Sequence, residues 1–280
     1  MQLKTLDTGF FKLDGGAMFG VVPKTLWNKQ NPADERNLCT WAMRCLLIEA
    51  GDRLVLVDTG IGRKQDEKFF SHYDLHGEAS LADSIRNAGY TETDITDVLL
   101  THLHFDHVGG AVVRQGDRLL PAFPNAIFWS HSAHWQWATA PNPREKASFL
   151  RENLLPLQES GQLRFIDTDG FALPGTELLH VDGHTEKMTL PKLQVNGRMV
   201  LYAADLIPSA AHVPLPWVMS YDVRPLLTMQ EKEAVLKQAA AENWILVFEH
   251  DPTTEAATVE LTEKGVRVKD RGRLADLIGG

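Results

Sequence analysis

Thr101-His102-Leu103-His104-Phe105-Asp106-His107-Val108-Gly109-Gly110 follows directly on the largely apolar run Ile95–Leu100. Such a run opening into a polar, glycine-terminated segment reads as a buried strand that ends in a loop. Four side chains that bind transition metals or carry protons fall within six positions. At a strand end, residues two apart point the same way, so His102 and His104 can reach one metal ion. Asp106 and His107 lie past the bend and can face a second ion. Single histidines are common in cores and on surfaces, but that does not account for the spacing H-x-H-x-D-H. The stretch predicts a metal site.

Upstream, Cys39–Glu49 and Arg53–Asp58 read as two strands joined by a turn at Ala50-Gly51-Asp52. Ser80–Ala88 is a short amphipathic helix with Gly89 at its C-cap. Downstream, Ala126–Ser130 is a strand, His131–Ala138 is helical, and Arg144–Glu159 is a helix that Pro156 bends or stops. Leu163–Ile166, Thr176–His180, Leu190–Val195 and Met199–Ala203 are strand-like, with a hairpin signal at Asn196-Gly197. Thr228–Ala241 is a helix, Trp244–Phe248 a buried strand, and Thr258–Leu261 with Val266–Val268 a closing hairpin. Strands followed by helices, twice over, predict two packed sheets with helices outside. No linker interrupts residues 1–280, which read as one domain. Leu26–Arg36 reads as a polar surface loop.

The 280 residues carry 28 basic and 37 acidic side chains, for a net charge of −9, and no dense basic stretch. Nucleic acid is therefore excluded as a partner on charge, since phosphate binding needs clustered Lys and Arg. No apolar run reaches the roughly 18 residues of a membrane span, and the N-terminus lacks a secretory core, so the cytoplasm is the expected location. Cys39 and Cys45 sit roughly 20 Å apart along one strand, too far for a disulfide, and read as reduced thiols.

Two ions need more ligands than the run supplies. His184 in Val181-Asp182-Gly183-His184-Thr185, Asp205 after Leu201-Tyr202-Ala203-Ala204, and His250 after Trp244–Glu249 each follow a strand. Residues at neighbouring strand ends converge on one sheet edge, where loops carry function. Taken alone, each has a dull alternative as a turn, surface or capping residue; their ordered occurrence behind the histidine run is what singles them out.

With Asp58-Thr59-Gly60 ahead of the run and Gly183-His184-Thr185, Asp205 and His250 behind it, nearly the whole chain resembles the metallo-β-lactamase-fold superfamily. The resemblance implies an α+β, four-layer αβ/βα sandwich holding metal between its sheets. It implies that His102, His104 and His184 bind a first ion, that Asp106, His107 and His250 bind a second, and that Asp205 bridges them. Asp58 would brace the ligand loop. Asp14-Gly15-Gly16-Ala17-Met18-Phe19-Gly20-Val21-Val22-Pro23-Lys24 and Trp217-Val218-Met219-Ser220-Tyr221-Asp222 are similar to the quorum-quenching N-acyl-homoserine lactone lactonases. That branch also holds aryl esterases and phosphotriesterases. Where the best-studied lactonases carry a tyrosine three residues after the bridging aspartate, this chain has Pro208, so Tyr221 or His212 is expected to take the role, or it is absent. Glu186-Lys187-Met188 also departs from the Pro-Gly-His of many members.

The chemistry expected from this set is hydrolysis of a lactone or ester, most of all an N-acyl-homoserine lactone. Two divalent ions sharing a carboxylate lower the pKa of a bridging water toward about 7 and polarise the carbonyl it attacks. Zinc suits the N/O ligands first, with cobalt, manganese or iron as alternatives. Asp106 is expected to pass a proton to the leaving alkoxide as well as to bind metal. Met18, Phe19, Trp27, Phe105, Trp217 and Met219 are candidates for an acyl-chain pocket, and an exposed Phe19 and Trp27 would favour a homodimer. His72, His76, His131, His134 and His180 read as structural or surface residues.

Rivals are weaker. A ribonuclease would need a basic face, and glyoxalase II a basic helical tail that Glu255–Gly280 does not supply. A persulfide dioxygenase would use one iron on two His and one Asp, leaving Asp106, His107 and His250 without a purpose. A non-catalytic relative would be expected to have lost ligands, and here all are present.

Overall fold

A computed structural model describes residues 1–279. The first sheet contains β1 (Gln2–Asp14), β2 (Leu38–Ala50), β3 (Arg53–Val57) and β4 (Asp97–Leu99). A small hairpin, β5 (Val112–Gln115) with β6 (Arg118–Pro121), precedes β7 (Ile127–Ser130) and β8 (Leu163–Phe165), which complete that sheet in the order β1-β2-β3-β4-β7-β8. The second contains β9 (Thr176–Val181), β10 (Met188–Val195), β11 (Arg198–Tyr202), β12 (Ile245–Val247), β13 (Ala256–Thr262) and β14 (Gly265–Gly272), running β14-β13-β12-β11-β10-β9.

Period-two alternation explains the layering. Leu46 and Ile48 of β2, Val55 and Val57 of β3 and Leu99 of β4 share one core with Val200 and Tyr202 of β11. Their neighbours Cys45, Leu47, Leu54, Leu56 and Val98 face the other way, onto helices Leu81–Asn87, Ser132–Thr139 and Arg151–Glu159. Helix Pro225–Glu242 covers the second sheet through Val235, Leu236 and Ala239. The result is the expected four-layer αβ/βα sandwich. Each buried Leu, Ile or Val contributes roughly 1.5–3 kcal/mol, so these paired rows are the main force holding the sheets together.

Some expectations are corrected. The long strand β1 is hidden in the sequence because a bulge between Asp7 and Phe10, with Gly9 at φ +103°, breaks its alternation. The helix expected over 144–159 starts only at Arg151, and Pro156 lies inside it. The Asn142 side-chain oxygen accepts the N–H groups of Arg144 and Glu145 and holds a turn there instead. Leu26–Arg36 is more than a surface loop: Trp27 closes the short helix Lys24–Trp27, and buried Asn31 donates to the Thr40 carbonyl at 2.9 Å. Phe19 and Trp27 are buried and stacked on each other, ring centroids 5.4 Å apart, so the exposed arm that suggested a homodimer is not there. Both cysteines are buried free thiols. Among the described residues no helix is long and apolar enough to cross a membrane.

One polar pin locks the first sheet. Asp97 at the start of β4 accepts from Arg53 Nε at 2.9 Å and Nη2 at 2.6 Å, from Thr96 Oγ1 at 2.7 Å and from Trp129 Nε1 at 2.8 Å. Burial pushes its carboxyl upward, but Arg53, Thr96 and Trp129 together hold it below the usual carboxylate range. A depressed carboxyl stabilises the fold above its unfolded pKa of about 3.9 and loses that contribution as pH falls through its folded value. Asp97→Asn is expected to lower stability by about 3 kcal/mol at neutral pH and to flatten the acid limb of a pH–stability curve from urea melts.

Candidate metal centre

Every candidate ligand follows the carboxyl end of a strand. His102, His104, Asp106 and His107 come after β4, His184 after β9, Asp205 after β11 and His250 after β12; Asp58 ends β3. Asp58 and Ala204 adopt left-handed φ values of +57° and +40°, and such strain concentrates at functional sites. Phe105–Val108 form a single helical turn. It closes against Thr59-Gly60-Ile61 because a Cβ at Gly109 or Gly110 would collide with the carbonyls of Ile61 or Thr59.

The side chains gather into two buried groups whose ligand atoms lie within 4.8 Å of one another: His102, His104, His184 and Asp205, then Asp106, His107 and His250. His104 Nδ1 and His184 Nε2 face each other at 3.2 Å, as do His107 Nε2 and His250 Nε2. Asp205 lies between the groups. Its Oδ2 is 3.1 Å from His184 Nε2, 3.7 Å from His102 Nε2 and 3.5 Å from His107 Nε2, and its Oδ1 is 3.1 Å from His250 Nε2. Asp106 Oδ2 is 3.8 Å from His107 Nε2 and 3.7 Å from His250 Nε2.

Each ring is oriented through its other nitrogen. His102 Nδ1 meets Thr101 Oγ1 at 3.1 Å, His104 Nε2 meets Glu145 at 3.3 Å, and His184 Nδ1 meets Asp222 at 2.9 Å. His107 Nδ1 meets Asp58 at 3.2 Å, and His250 Nδ1 meets the Ala42 carbonyl at 2.8 Å. Asp58 is aimed by the Thr101 N–H at 2.8 Å and hydroxyl at 2.6 Å. Such outer hydrogen bonds fix the ring orientation and leave the inward nitrogen as a lone-pair donor.

This donor set fits divalent cations. Five imidazole nitrogens and two carboxylates converge in a buried space, with His102 Nε2 lacking a hydrogen-bond partner among the described residues. Buried polar atoms without partners are rare, and a cation between the facing nitrogens would satisfy them. Burial opposes ionisation of Asp205, but the imidazoles of His250, His107 and His184 hold it well below the usual range. Burial also works against Glu145, yet hydrogen bonds from His104, Thr185 and Asn142 bring it down to about 2.

The remaining expected residues separate. Phe105 sits beside the site, with the Tyr73 ring packed on it at 4.7 Å. Burial, and then the Asp106 charge, push Tyr73 up to about 12 and raise Tyr221 as well. Tyr221 and Trp217 keep exposed surface, whereas Met18, Phe19, Trp27 and Met219 are enclosed in a packed cluster behind them. His212 has no free nitrogen: Nδ1 pairs with Ser209 Oγ at 2.7 Å and Nε2 with the Met18 carbonyl at 2.8 Å, and the ring stacks on Phe19. That makes it a strut of the loop rather than a stand-in for the lactonase tyrosine. His134 is structural too, its Nε2 accepting the Leu103 N–H at 2.9 Å. Sequence reasoning missed Glu145, Asp222 and Glu249, which surround the histidines. The one available signal was a charged residue, Glu249, ending an otherwise apolar strand.

Residues 44–250 match the Metallo-beta-lactamase superfamily, and the chain belongs to it. It is similar to an N-acyl homoserine lactonase of a Bacillus species, 27% identical over 164 residues covering 55% of this chain and 58% of that protein. The match thus spans little more than half of the lactonase's length. A probable metallo-hydrolase of Mycobacterium tuberculosis is 26% identical over 241 residues, 74% of each chain. Among solved structures, a probable metal-dependent hydrolase from Staphylococcus aureus is 31% identical, with a TM-score of 0.87 over 96% of this chain and 95% of that one. AidC, a dizinc quorum-quenching lactonase, shares the fold, with a TM-score of 0.79 at 23% identity over 97% of this chain and 95% of AidC.

Proposed function

We propose that the protein is a dinuclear metal-dependent hydrolase that opens lactone or ester bonds, with N-acyl-homoserine lactones as its substrates. The observation that carries this reading is Asp205, whose two carboxylate oxygens each lie 3.1 Å from a histidine of a different cluster. A lactonase relative and the paired clusters together favour lactones as the substrate class.

Bound in the two clusters, divalent ions such as zinc would polarise a carbonyl oxygen and lower the pKa of water toward neutrality. The chain's own residues do the rest. His102, His104, His184, Asp106, His107, His250 and Asp205 would hold the cations, with Asp58, Glu145 and Asp222 keeping the rings in register. Water adds to the lactone carbonyl and the ring C–O bond breaks. Asp106 Oδ2, 3.7 Å from His250 Nε2 in the second cluster, takes the proton from the attacking water and returns it to the leaving alkoxide. Tyr221, which keeps exposed surface, donates to the substrate carbonyl, and Phe105 with Trp217 packs the acyl chain. No serine or cysteine nucleophile takes part.

The test is ring-opening of short- and long-chain acyl-homoserine lactones by zinc- or cobalt-loaded protein, with an aryl ester and a phosphotriester alongside and His104→Ala as the blank. The expected kcat/KM is on the order of 10⁴ M⁻¹s⁻¹ or more for a lactone, lost in the variant. Ester or triester cleavage without lactone turnover would overturn the substrate and leave the hydrolase. Inactivity toward all three classes would overturn both.

A further inference from the structure

Glu249 is the one carboxylate beside the clusters that the proposed chemistry leaves unexplained. It is fully buried, and its Oε1 lies 3.0 Å from His107 Nδ1. Neither oxygen has a well-formed hydrogen bond among the described residues. Of the nearby donors, the Thr101 N–H and hydroxyl go to Asp58, and the Tyr202 hydroxyl, which also faces Glu249, donates to the Arg44 carbonyl at 2.6 Å. The Arg44 guanidinium donates to the Phe248 and Asp251 carbonyls. Two carboxylates, Asp58 and Glu249, therefore face one imidazole nitrogen, His107 Nδ1, at 3.2 and 3.0 Å. Burying two carboxylates against one imidazole is unfavourable unless further positive charge stands close by.

The opposite face of the same ring changes that balance. His107 Nε2 points into the second cluster, toward His250 and Asp205. A divalent ion there would put positive charge on the far side of one imidazole, aligned with Glu249 through the ring. We infer that Glu249 is a positioning residue for the second ion, sharing the His107 Nδ1–H with Asp58 and relying on that ion as the counter-charge for its burial. The inference rests on the two-ion reading of the site but not on the choice of substrate.

Two effects of opposite sign follow. Glu249→Gln keeps the shape and removes the charge, so the metal-free fold should be no less stable, while the second ion binds more weakly. A side chain that served only to fill space would give neither pattern. The experiment is a Co²⁺ titration of the demetallated full chain and of Glu249→Gln, read by the visible d–d bands and by competition with a chelator. Thermal melts of the metal-free forms run beside it.

The expected result is two ions on the parent, a 10–100-fold weaker second ion on the variant, an unchanged first ion, and a metal-free melting temperature equal to or above the parent's. Glu249→Met, which fills similar space without polarity, should behave the same way. Equal affinity for both ions in parent and Glu249→Gln would overturn the inference, as would loss of folding in both variants. One ion on the parent at saturation would instead overturn the two-ion reading, and Glu249's role with it. Lactone turnover enters none of these readouts, so a wrong substrate assignment leaves the outcome intact.

Discussion

Asp205→Ala is expected to lower kcat/KM roughly 10³-fold or more and to reduce the bound metal from two ions to at most one. Among the described residues no other side chain reaches four histidines across both clusters, with approaches of 3.1, 3.1, 3.5 and 3.7 Å. The flanking residues of the turn, Ala204 and Leu206, are apolar and offer no carboxylate to replace the lost one. Removing it leaves the inner nitrogens of His102 and His184 with no carboxylate between them, and His107 and His250 with Asp106 alone at 3.8 and 3.7 Å. Asp205→Asn separates charge from shape: it keeps the side chain in place but weakens its hold on both cations, and should fall between parent and alanine variant. Elemental analysis of purified protein with a parallel rate measurement checks this. Two tightly held ions on Asp205→Ala, with activity within tenfold of the parent, would remove Asp205 from its bridging place and with it the argument for a dinuclear centre.

The expected ligands were legible because they obey a rule that sequence preserves: each polar residue follows the end of an apolar strand, His102 to His107 in the first sheet and His184, Asp205 and His250 in the second, and the two sets of strand ends meet where the sheets pack. Spacing places His102 beside His104 and Asp205 after β11 without any knowledge of tertiary contacts. The braces do not obey such a rule. Glu145 was hidden because its segment reads as helix, whereas Asn142 holds a turn that swings the carboxylate onto His104. Asp222 lies 38 residues from the histidine it orients, a separation that no local pattern encodes. His212 shows the converse error, for a histidine in a loop near the site looks reactive until its two nitrogens are found on Ser209 and Met18. Strand β1 was lost for a third reason: one bulge moves its apolar residues out of phase, and a period-two reading then sees a loop.

Lys232→Met is expected to destabilise the fold by about 3–5 kcal/mol and to raise KM more than it lowers kcat. The lysine is fully buried on helix Pro225–Glu242, and its Nζ donates to the carbonyls of His212 at 2.7 Å, Pro214 at 3.1 Å and Trp217 at 2.8 Å. An ammonium has three N–H donors, and all three are used on one loop. Methionine matches its length but donates nothing, so three carbonyls lose their partner inside the protein. At about 2–4 °C per kcal/mol for a chain near this size, the melting temperature should fall by roughly 10 °C. The same loop leads through Trp217 to Tyr221, and the Ser220 N–H is tied to Ala17 at 2.8 Å, so slackening it disorders the wall assigned to the acyl chain. The metal ligands themselves sit on strand ends outside the loop. Parent-like metal content with a raised KM is therefore the expected signature, measured by elemental analysis and lactone saturation curves. A melting point within about 2 °C of the parent would show that the loop holds its shape without the ammonium. A fall in kcat alone would place Lys232's influence on the metal centre instead of on the substrate wall.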